Sequence, residues 1–187
     1  MWEWSTTTHY RWPKRTANLS LRILNVNLTS TMLMTDIVLK EMVRRDRGLI
    51  VNMCSASARI PLPYFTMYSS TKAFIENYSA CLAAELSSVN SKVRVKCLEP
   101  MFVKTQLLKG LSTLINFLEG LPVVGPSVVD APSFAASATA TFGVETPVIY
   151  QGYWTQQLLS LLFPHYLGAA LIADAVVWVI KSLKMIE

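Results

Sequence analysis

The sequence of 187 residues has few cysteines, histidines and glycines, and each shortage excludes a class of site. Its three cysteines show no CxxC spacing and its two histidines lie far apart, so neither a disulfide framework nor a metal site is predicted. We expect Cys54, Cys81 and Cys97 to be small buried hydrophobic residues of a reducing compartment. No glycine precedes Gly48, which leaves no glycine-rich turn of the kind that holds phosphate groups at a helix start.

Charged residues are also scarce, at 16% of the chain against 52% hydrophobic residues, and the mean hydropathy is +0.35. This balance predicts a surface that meets a membrane or a partner. The net charge of +5 comes from scattered basic residues with no interleaved aromatic array, so no nucleic-acid partner is predicted. The length suits one domain with a hydrophobic core.

The central part of the chain predicts a βαβ unit. Residues 49–54 form an almost wholly apolar run typical of a buried parallel strand, residues 67–87 have a helical spacing, and residues 93–98 predict the next strand. A helix is also predicted over residues 28–47. Because the crossover of a βαβ unit is right-handed and joins parallel strands, the predicted fold class is α/β with a parallel sheet and flanking helices.

The two ends of the sequence differ from this pattern. Residues 1–20 have no helical or strand period and no signal peptide, so they are predicted to be an irregular leader. Residues 158–180 form an apolar run that Pro164 and Gly168 interrupt and that contains Asp174. Three structures fit this tail: a hairpin that dips into the membrane interface, a full membrane span, or a cap over an apolar substrate cleft.

Three side chains around the first predicted strand form a candidate active site. Ser55 follows that strand, while Tyr68 and Lys72 lie four residues apart and therefore on one face of the next helix. An ammonium one turn away favours the phenolate and is expected to lower the pKa of Tyr68, which makes the phenol a usable acid or base. A serine hydroxyl opposite could hold the substrate oxygen. The set suits proton transfer to a carbonyl while another agent delivers hydride.

The short sequence segments around these residues resemble those of a known family. The chain resembles the carboxyl-terminal part of a short-chain dehydrogenase/reductase, and within that superfamily it is similar to the 17-beta-hydroxysteroid dehydrogenases of the very-long-chain 3-oxoacyl-CoA reductase type. The resemblance covers about residues 21–167. Its matching words are LNVNLTS, GLIVNMCSASA, MYSSTKAF, LEPMFVKT and GYWTQQLLSLLFP.

The resemblance implies a role for each catalytic position. It makes Tyr68 the proton donor, Lys72 the residue that lowers its pKa and holds the nicotinamide ribose, and Ser55 the residue that positions the carbonyl. It also implies that Asn27 anchors a water in the proton relay through its helix. The residues themselves leave a second interpretation of Asn27 open, as the N-cap of a helix that begins at Leu28.

A second segment is implied to contact the cofactor together with Tyr68 and Lys72. Pro100, Val103 and Thr105 match the stretch beside the nicotinamide, with Val103 and Thr105 as the expected contacts of its amide. The family usually has glycine after the proline, and this chain has Met101. For Thr105 a cap or turn residue is the alternative interpretation.

The resemblance implies an incomplete Rossmann-like parallel sheet with flanking helices and an apolar carboxyl-terminal helical segment. Residues 21–154 would form the catalytic half of the domain and residues 155–187 a helical tail that associates with a membrane. The implied activity is reduction of a ketone on a lipid-like substrate with NADPH or NADH, at the endoplasmic reticulum membrane. The alternative is a non-catalytic, membrane-associated form that pairs with a full-length relative, and a homodimer is also possible through the helix that bears the tyrosine.

Overall fold

A computed structural model describes residues 17–60, 62–106, 112–162, 177–178 and 181–182. The described residues form helices and short strands, and a π-helical turn at Asn25–Thr29 joins the first two helices. The elements are α1 (Ala17–Leu24), α2 (Ser30–Arg44), β1 (Gly48–Met53), α3 (Thr66–Ser88), β2 (Val93–Leu98), β3 (Val103–Lys104), α4 (Ser112–Glu119), β4 (Val129–Asp130), α5 (Ala131–Ala140), β5 (Ile149–Tyr150) and α6 (Trp154–Leu162).

The predicted βαβ unit is present as β1, α3 and β2. The strands β1 and β2 pair in parallel from Gly48 opposite Val93 to Met53 opposite Leu98. The strand β5 adds in parallel to the other edge of β2, which gives a three-stranded sheet in the order β1-β2-β5. The α/β fold class with a parallel sheet is therefore confirmed.

The first helix begins earlier than the sequence indicated. Residues 17–20 are helical, whereas they were predicted to belong to an irregular leader, and residues 1–16 lie outside the described part. The helix continues through the π-helical turn into α2. Asn27 therefore lies within a continuous helical segment, and the alternative interpretation of Asn27 as the N-cap of a helix that begins at Leu28 is wrong.

The carboxyl-terminal part contains short elements that the sequence pattern did not reveal. Strands β3 and β4 pair in parallel through only two residues each, with Val103 opposite Val129. The predicted apolar tail is described as far as α6, which ends at Leu162, and most of residues 163–187 lie outside the described part. Within the described residues, none of the helices combines the length and the apolarity needed to cross a bilayer.

The buried hydrophobic side chains form three clusters against the sheet. One cluster lies between β1, β2, α2 and α3, a second lies between β2, β3, β4 and α5, and a third lies below the strand ends. Their buried members are Ile50, Leu82, Leu86, Val93 and Val95 in the first, Leu98, Val103, Val129, Phe134, Ala138 and Tyr150 in the second, and Cys54, Ile75 and Cys97 in the third. Two cysteines are thus buried as predicted, but Cys81 is exposed on α3.

Gly152 provides a sharp test of the packing behind β5. Its φ is +79°, and an added Cβ would lie 2.5 Å from Leu98 Cδ1 and 3.1 Å from Phe134 Cζ. We expect Gly152→Ala to lower the free energy of unfolding by about 1–3 kcal/mol, because the added methyl group would strain both the backbone and the packing of the core. The control is Gly143→Ala, since no atom lies within 4 Å of the added Cβ there. Equal stability of the two variants in urea denaturation would contradict this prediction.

Candidate active site

The end of β1 places Ser55 at the mouth of the sheet. Ser55 has an extended backbone, and its Oγ accepts a hydrogen bond of 3.2 Å from the Ser57 amide, which starts a short 3-10 turn. The backbone on both sides is tied to the end of β2: the Cys54 amide donates to Leu98 O at 2.8 Å, and the Ala56 amide donates to Pro100 O at 3.0 Å. The hydroxyl therefore sits on a fixed loop at the carboxyl ends of two parallel strands, where open α/β sheets bind ligands.

The first two turns of α3 bring Tyr68 and Lys72 to the same place. The Lys72 Nζ lies 5.6 Å from the centroid of the Tyr68 ring. It donates a hydrogen bond of 2.8 Å to Met53 O, at the end of β1. The Ser55 hydroxyl favours the phenolate of Tyr68 and so acts to lower the pKa of the phenol. The structure thus brings the hydroxyl, the phenol and the ammonium together.

Burial sets the protonation of this group in a way that the spacing did not predict. Burial raises the pKa of Tyr68, and the Ser55 hydroxyl offsets this rise only in part. Burial also lowers the pKa of Lys72, because an ammonium is poorly solvated there. The net pKa of Tyr68 is therefore raised, whereas the spacing to Lys72 predicted a lowered value, and Ser55 is the group that acts in the lowering direction.

Asn27 approaches the site through the π-helical turn. Its side-chain amide donates a hydrogen bond of 2.9 Å to Thr71 Oγ1, next to Lys72 in sequence. Its backbone carbonyl accepts a hydrogen bond of 2.7 Å from Thr31 Oγ1. Single π-helical turns within α-helices frequently occur at functional sites. The hydrogen bond of Asn27 therefore attaches the π-helical turn to α3 at Thr71, the residue before Lys72.

The three residues predicted beside the nicotinamide have different surroundings. Pro100 accepts the backbone hydrogen bond from the Ser55 loop and so lies next to the site. The Val103 side chain is buried in the core cluster with Leu98 and Phe134, so a contact of Val103 with a ligand would have to use its backbone. Thr105 is exposed at the end of β3.

A cavity of about 420 Å³ opens beside Lys72, between α2, β1 and α3. Its volume lies in the range of about 300–1,000 Å³ that small-molecule sites occupy. Its polar lining includes the Asn27 and Asn52 amides, the Thr31 hydroxyl and the Lys72 ammonium. These donors and acceptors fit the hydroxyl groups of a ribose, so the residues present suit the nicotinamide end of a dinucleotide.

A family model for short chain dehydrogenase matches residues 14–114, which include the π-helical turn, the Ser55 loop and the Tyr68–Lys72 helix. The chain belongs to the short-chain dehydrogenase family. Solved structures agree at the level of the fold: a short chain dehydrogenase/reductase family protein aligns with a TM-score of 0.62 and 23% identity over 76% of this chain and 60% of that chain. A 3-ketoacyl-(acyl-carrier-protein) reductase from Brucella melitensis complexed with NADH aligns with a TM-score of 0.59 and 24% identity, over 76% of this chain and 57% of that one.

Curated relatives point to one branch of the family. The chain is 35% identical to the very-long-chain 3-oxoacyl-CoA reductase of Rattus norvegicus over 132 residues, which are 69% of this chain and 37% of that protein. It is 33% identical to the human protein of that name over 76% of this chain and 41% of the relative. It is 37% identical to human 17-beta-hydroxysteroid dehydrogenase type 3 over 49% of this chain and 29% of the relative. The chain therefore spans well under half the length of each of these three relatives.

Next to the Ser55 loop, this short-chain dehydrogenase has a largely buried cluster of charged side chains that no sequence pattern predicted. Arg59 Nε donates to Glu76 Oε1 at 2.9 Å, and Arg59 Nη2 lies 3.3 Å from Glu99 Oε2. Glu99 is fully buried, and Gln151 Nε2 also donates to its Oε2 at 3.3 Å. A signal was available in the sequence, because a glutamate directly after an apolar strand is a costly residue to bury without a partner.

The cysteines next to Glu99 could suggest a metal centre. In the described part of the chain, ligand atoms of Cys54, Cys97 and Glu99 lie within 4.8 Å of one another, and all three residues are buried. The contact with Cys97 and burial both raise the pKa of the Cys54 thiol. Its Sγ lies 3.0 Å from Lys72 O, to which it donates. Because the thiolate is the form that binds metals, this arrangement favours a packed thiol over a metal ligand.

The buried Glu99 predicts that stability falls as the pH rises. Burial raises its pKa from the ordinary 4.5 to about 9, Arg59 opposes that change, and Glu76 and Cys54 add to it. Between those two values the folded protein holds one more proton than the unfolded chain, so the free energy of unfolding decreases with increasing pH.

Urea denaturation from pH 5 to 9 measures this effect. We expect Glu99→Gln to flatten the pH dependence, because the amide cannot lose a proton in this range. The exposed carboxylate of Glu41 provides the control, since Glu41→Gln should leave the slope over that range as it is in the parent. The same slope in Glu99→Gln and the parent would contradict the prediction.

Proposed function

We propose that this chain provides the catalytic part of an NAD(P)H-dependent reductase that converts a ketone on a lipid-like substrate, a 3-oxoacyl-CoA or a 17-keto steroid, to an alcohol. The observation that carries the proposal is the meeting of Ser55, Tyr68 and Lys72 at the mouth of the parallel sheet. The names of the curated relatives support the substrate class. By the same resemblance we infer a location at the endoplasmic reticulum membrane.

The chemistry divides between cofactor and protein. A bound nicotinamide would supply the hydride that reaches the carbonyl carbon. The Ser55 hydroxyl would donate a hydrogen bond to the carbonyl oxygen and stabilise the charge that develops there. The Tyr68 phenol, which burial keeps protonated at neutral pH, would transfer its proton to that oxygen to complete the alcohol.

Lys72 and Asn27 would support this step from the cavity side. In this structure Lys72 Nζ holds the carbonyl of Met53, and the same ammonium lines the cavity with the Asn27 amide. A ribose hydroxyl in the cavity would offer Lys72 a second acceptor. Asn27 would keep the helix that carries both Tyr68 and Lys72 in place through its bond to Thr71.

Cofactor binding and turnover test the proposal directly. Purified protein is titrated with NADPH and with NADH while nicotinamide fluorescence is followed, and a long-chain 3-oxoacyl-CoA and a 17-keto steroid are then offered as substrates. Saturable binding with consumption of the reduced nicotinamide supports the proposal. No binding at millimolar concentration of either cofactor would contradict it for this chain.

A second candidate function is a non-catalytic, membrane-associated form that pairs with a full-length relative. In the part of the chain that the structure describes, β1 pairs on one edge only, and open strand edges invite pairing with another chain. The neighbouring helix α2 exposes the apolar side chains of Leu33, Met34 and Ile37. Co-purification with an intact relative would support this function, and a monodisperse monomer in detergent would contradict it.

A further inference from the structure

We propose that Arg59, Glu76 and Glu99 act as positioning residues that hold the Ser55 loop against the helix that bears Tyr68 and Lys72. The inference rests on the proposed reductase function and adds a group of residues that do not touch the reacting atoms. The three residues are called the Arg59 cluster below.

The Arg59 cluster joins the three segments that carry the candidate site. Arg59 follows the 3-10 turn that begins at Ser55, and its amide donates to Ala56 O at 3.2 Å. Glu76 lies on α3, four residues beyond Lys72 and therefore on the same helical face. Glu99 directly follows β2 and precedes Pro100, whose carbonyl accepts the amide hydrogen bond of Ala56. One guanidinium thus spans the serine loop, the tyrosine helix and the segment predicted beside the nicotinamide.

The guanidinium is suited to this task by its shape. Its Nε meets Glu76 Oε1 at 2.9 Å and its Nη2 meets Glu99 Oε2 at 3.3 Å, so a rigid fork sets the distance between two elements. The side chains of Arg59 and Glu76 are only 23% and 20% exposed, and that of Glu99 is fully buried. The ion pair of Arg59 with Glu76 is partly buried, so it is screened less than a surface pair, and removing one partner leaves an uncompensated charge.

Charge balance also favours one defined arrangement. Burial and the neighbouring Glu76 raise the pKa of Glu99, so that Glu99 holds its proton near neutral pH and adds no second negative charge beside Glu76. Glu99 Oε2 accepts from Arg59 and from Gln151, while its Oε1 has no hydrogen-bond partner among the residues that the structure describes. That oxygen is the position left for the proton. The cluster can therefore have no net charge while its hydrogen bonds still fix the relative orientation of the three side chains.

Steady-state kinetics of Arg59→Gln and Glu76→Gln test the proposal. Because small displacements of reacting groups are costly, we expect kcat to fall about tenfold or more in each variant, with the KM for the cofactor nearly unchanged. The double variant should lose no more than the worse single one, since the two residues act as a unit. Arg59→Lys, which keeps the charge without the fork, should recover part of the rate. Arg44→Gln, which breaks the exposed pair with Glu41, is the matched control and should leave kcat unchanged.

A second readout does not depend on turnover. Tyrosine labelled with ¹³C at Cζ is titrated by NMR, with Tyr68→Phe to assign the signal. Losing the Ser55 contact in Arg59→Gln should raise the pKa of Tyr68 above its value in the parent. If the parent has no reductase activity, the proposed function fails while this titration still decides the positioning role. An unchanged Tyr68 titration, or an unchanged kcat with a lowered Tm, would overturn the inference, as would failure of every cluster variant to fold.

Discussion

Replacing Tyr68 by phenylalanine is expected to lower the rate of ketone reduction by about 10²-fold or more while cofactor binding and thermal stability stay close to those of the parent. The substitution removes one hydroxyl and keeps the ring beside Lys72. Because burial raises the pKa of Tyr68, this phenol holds its proton at neutral pH, and it would give up that proton only to the oxygen on which negative charge develops. Single-turnover reduction with saturating cofactor measures the loss at the chemical step.

The pH dependence gives the same prediction a second signature. The acid form of Tyr68 is the active one in reduction, so the rate should fall as the pH rises through its raised pKa, above the ordinary value of 10. Tyr78→Phe provides the control, since Tyr78 lies on the same helix and stacks on Phe74 away from Ser55. Equal rates of the Tyr68→Phe variant and the parent would show that another group donates the proton.

The largest loss of stability is expected from Ile75→Ala. Ile75 is 1% exposed and packs with Cys54, which precedes Ser55, and with Cys97. Truncating a fully buried isoleucine leaves a cavity and costs about 2–5 kcal/mol, a large share of the stability of a small domain. Urea denaturation, with the m-value monitored for a change in the unfolded state, measures the difference.

The matched control for Ile75→Ala is Ile37→Ala. Ile37 is 66% exposed on α2, so the same chemical change should alter the free energy of unfolding by no more than about 0.5 kcal/mol. Similar losses at both positions would mean that Ile75 is not in a tightly packed core. A large loss at Ile37 would instead indicate that α2 is covered in solution, as the pairing function requires.

The sequence was a good guide wherever a local pattern carries the information. The apolar run before Ser55 and the helical spacing after Thr66 fixed the βαβ unit to within about one residue at each end, because strand and helix periods are properties of neighbouring residues. Tyr68 and Lys72 share a face through helix geometry alone. Ser55 was predicted to lie near them because it follows a strand, and ligands of open α/β sheets bind at the carboxyl ends of the strands.

Other features depended on contacts that no local pattern carries. The helix through Asn27 begins at Ala17, inside the stretch that was predicted to be an irregular leader, and the hydrogen bond from Asn27 to Thr71 spans 44 residues of sequence. Strands β3 and β4 are two residues long and form only because they meet each other. Cysteine is among the residue types most often buried, yet Cys81 lies on the exposed side of α3.

By itself the sequence determined the α/β class, the βαβ unit and the Ser55, Tyr68 and Lys72 set, since each follows from residue periods and from a connection rule. Only the tertiary structure decided how these groups behave. Burial, which depends on the whole packing, raises the pKa of Tyr68 that the spacing to Lys72 alone was expected to lower. It also makes an ionic cluster of Arg59, Glu76 and Glu99, because packing places these distant residues in a core where their charges must compensate one another.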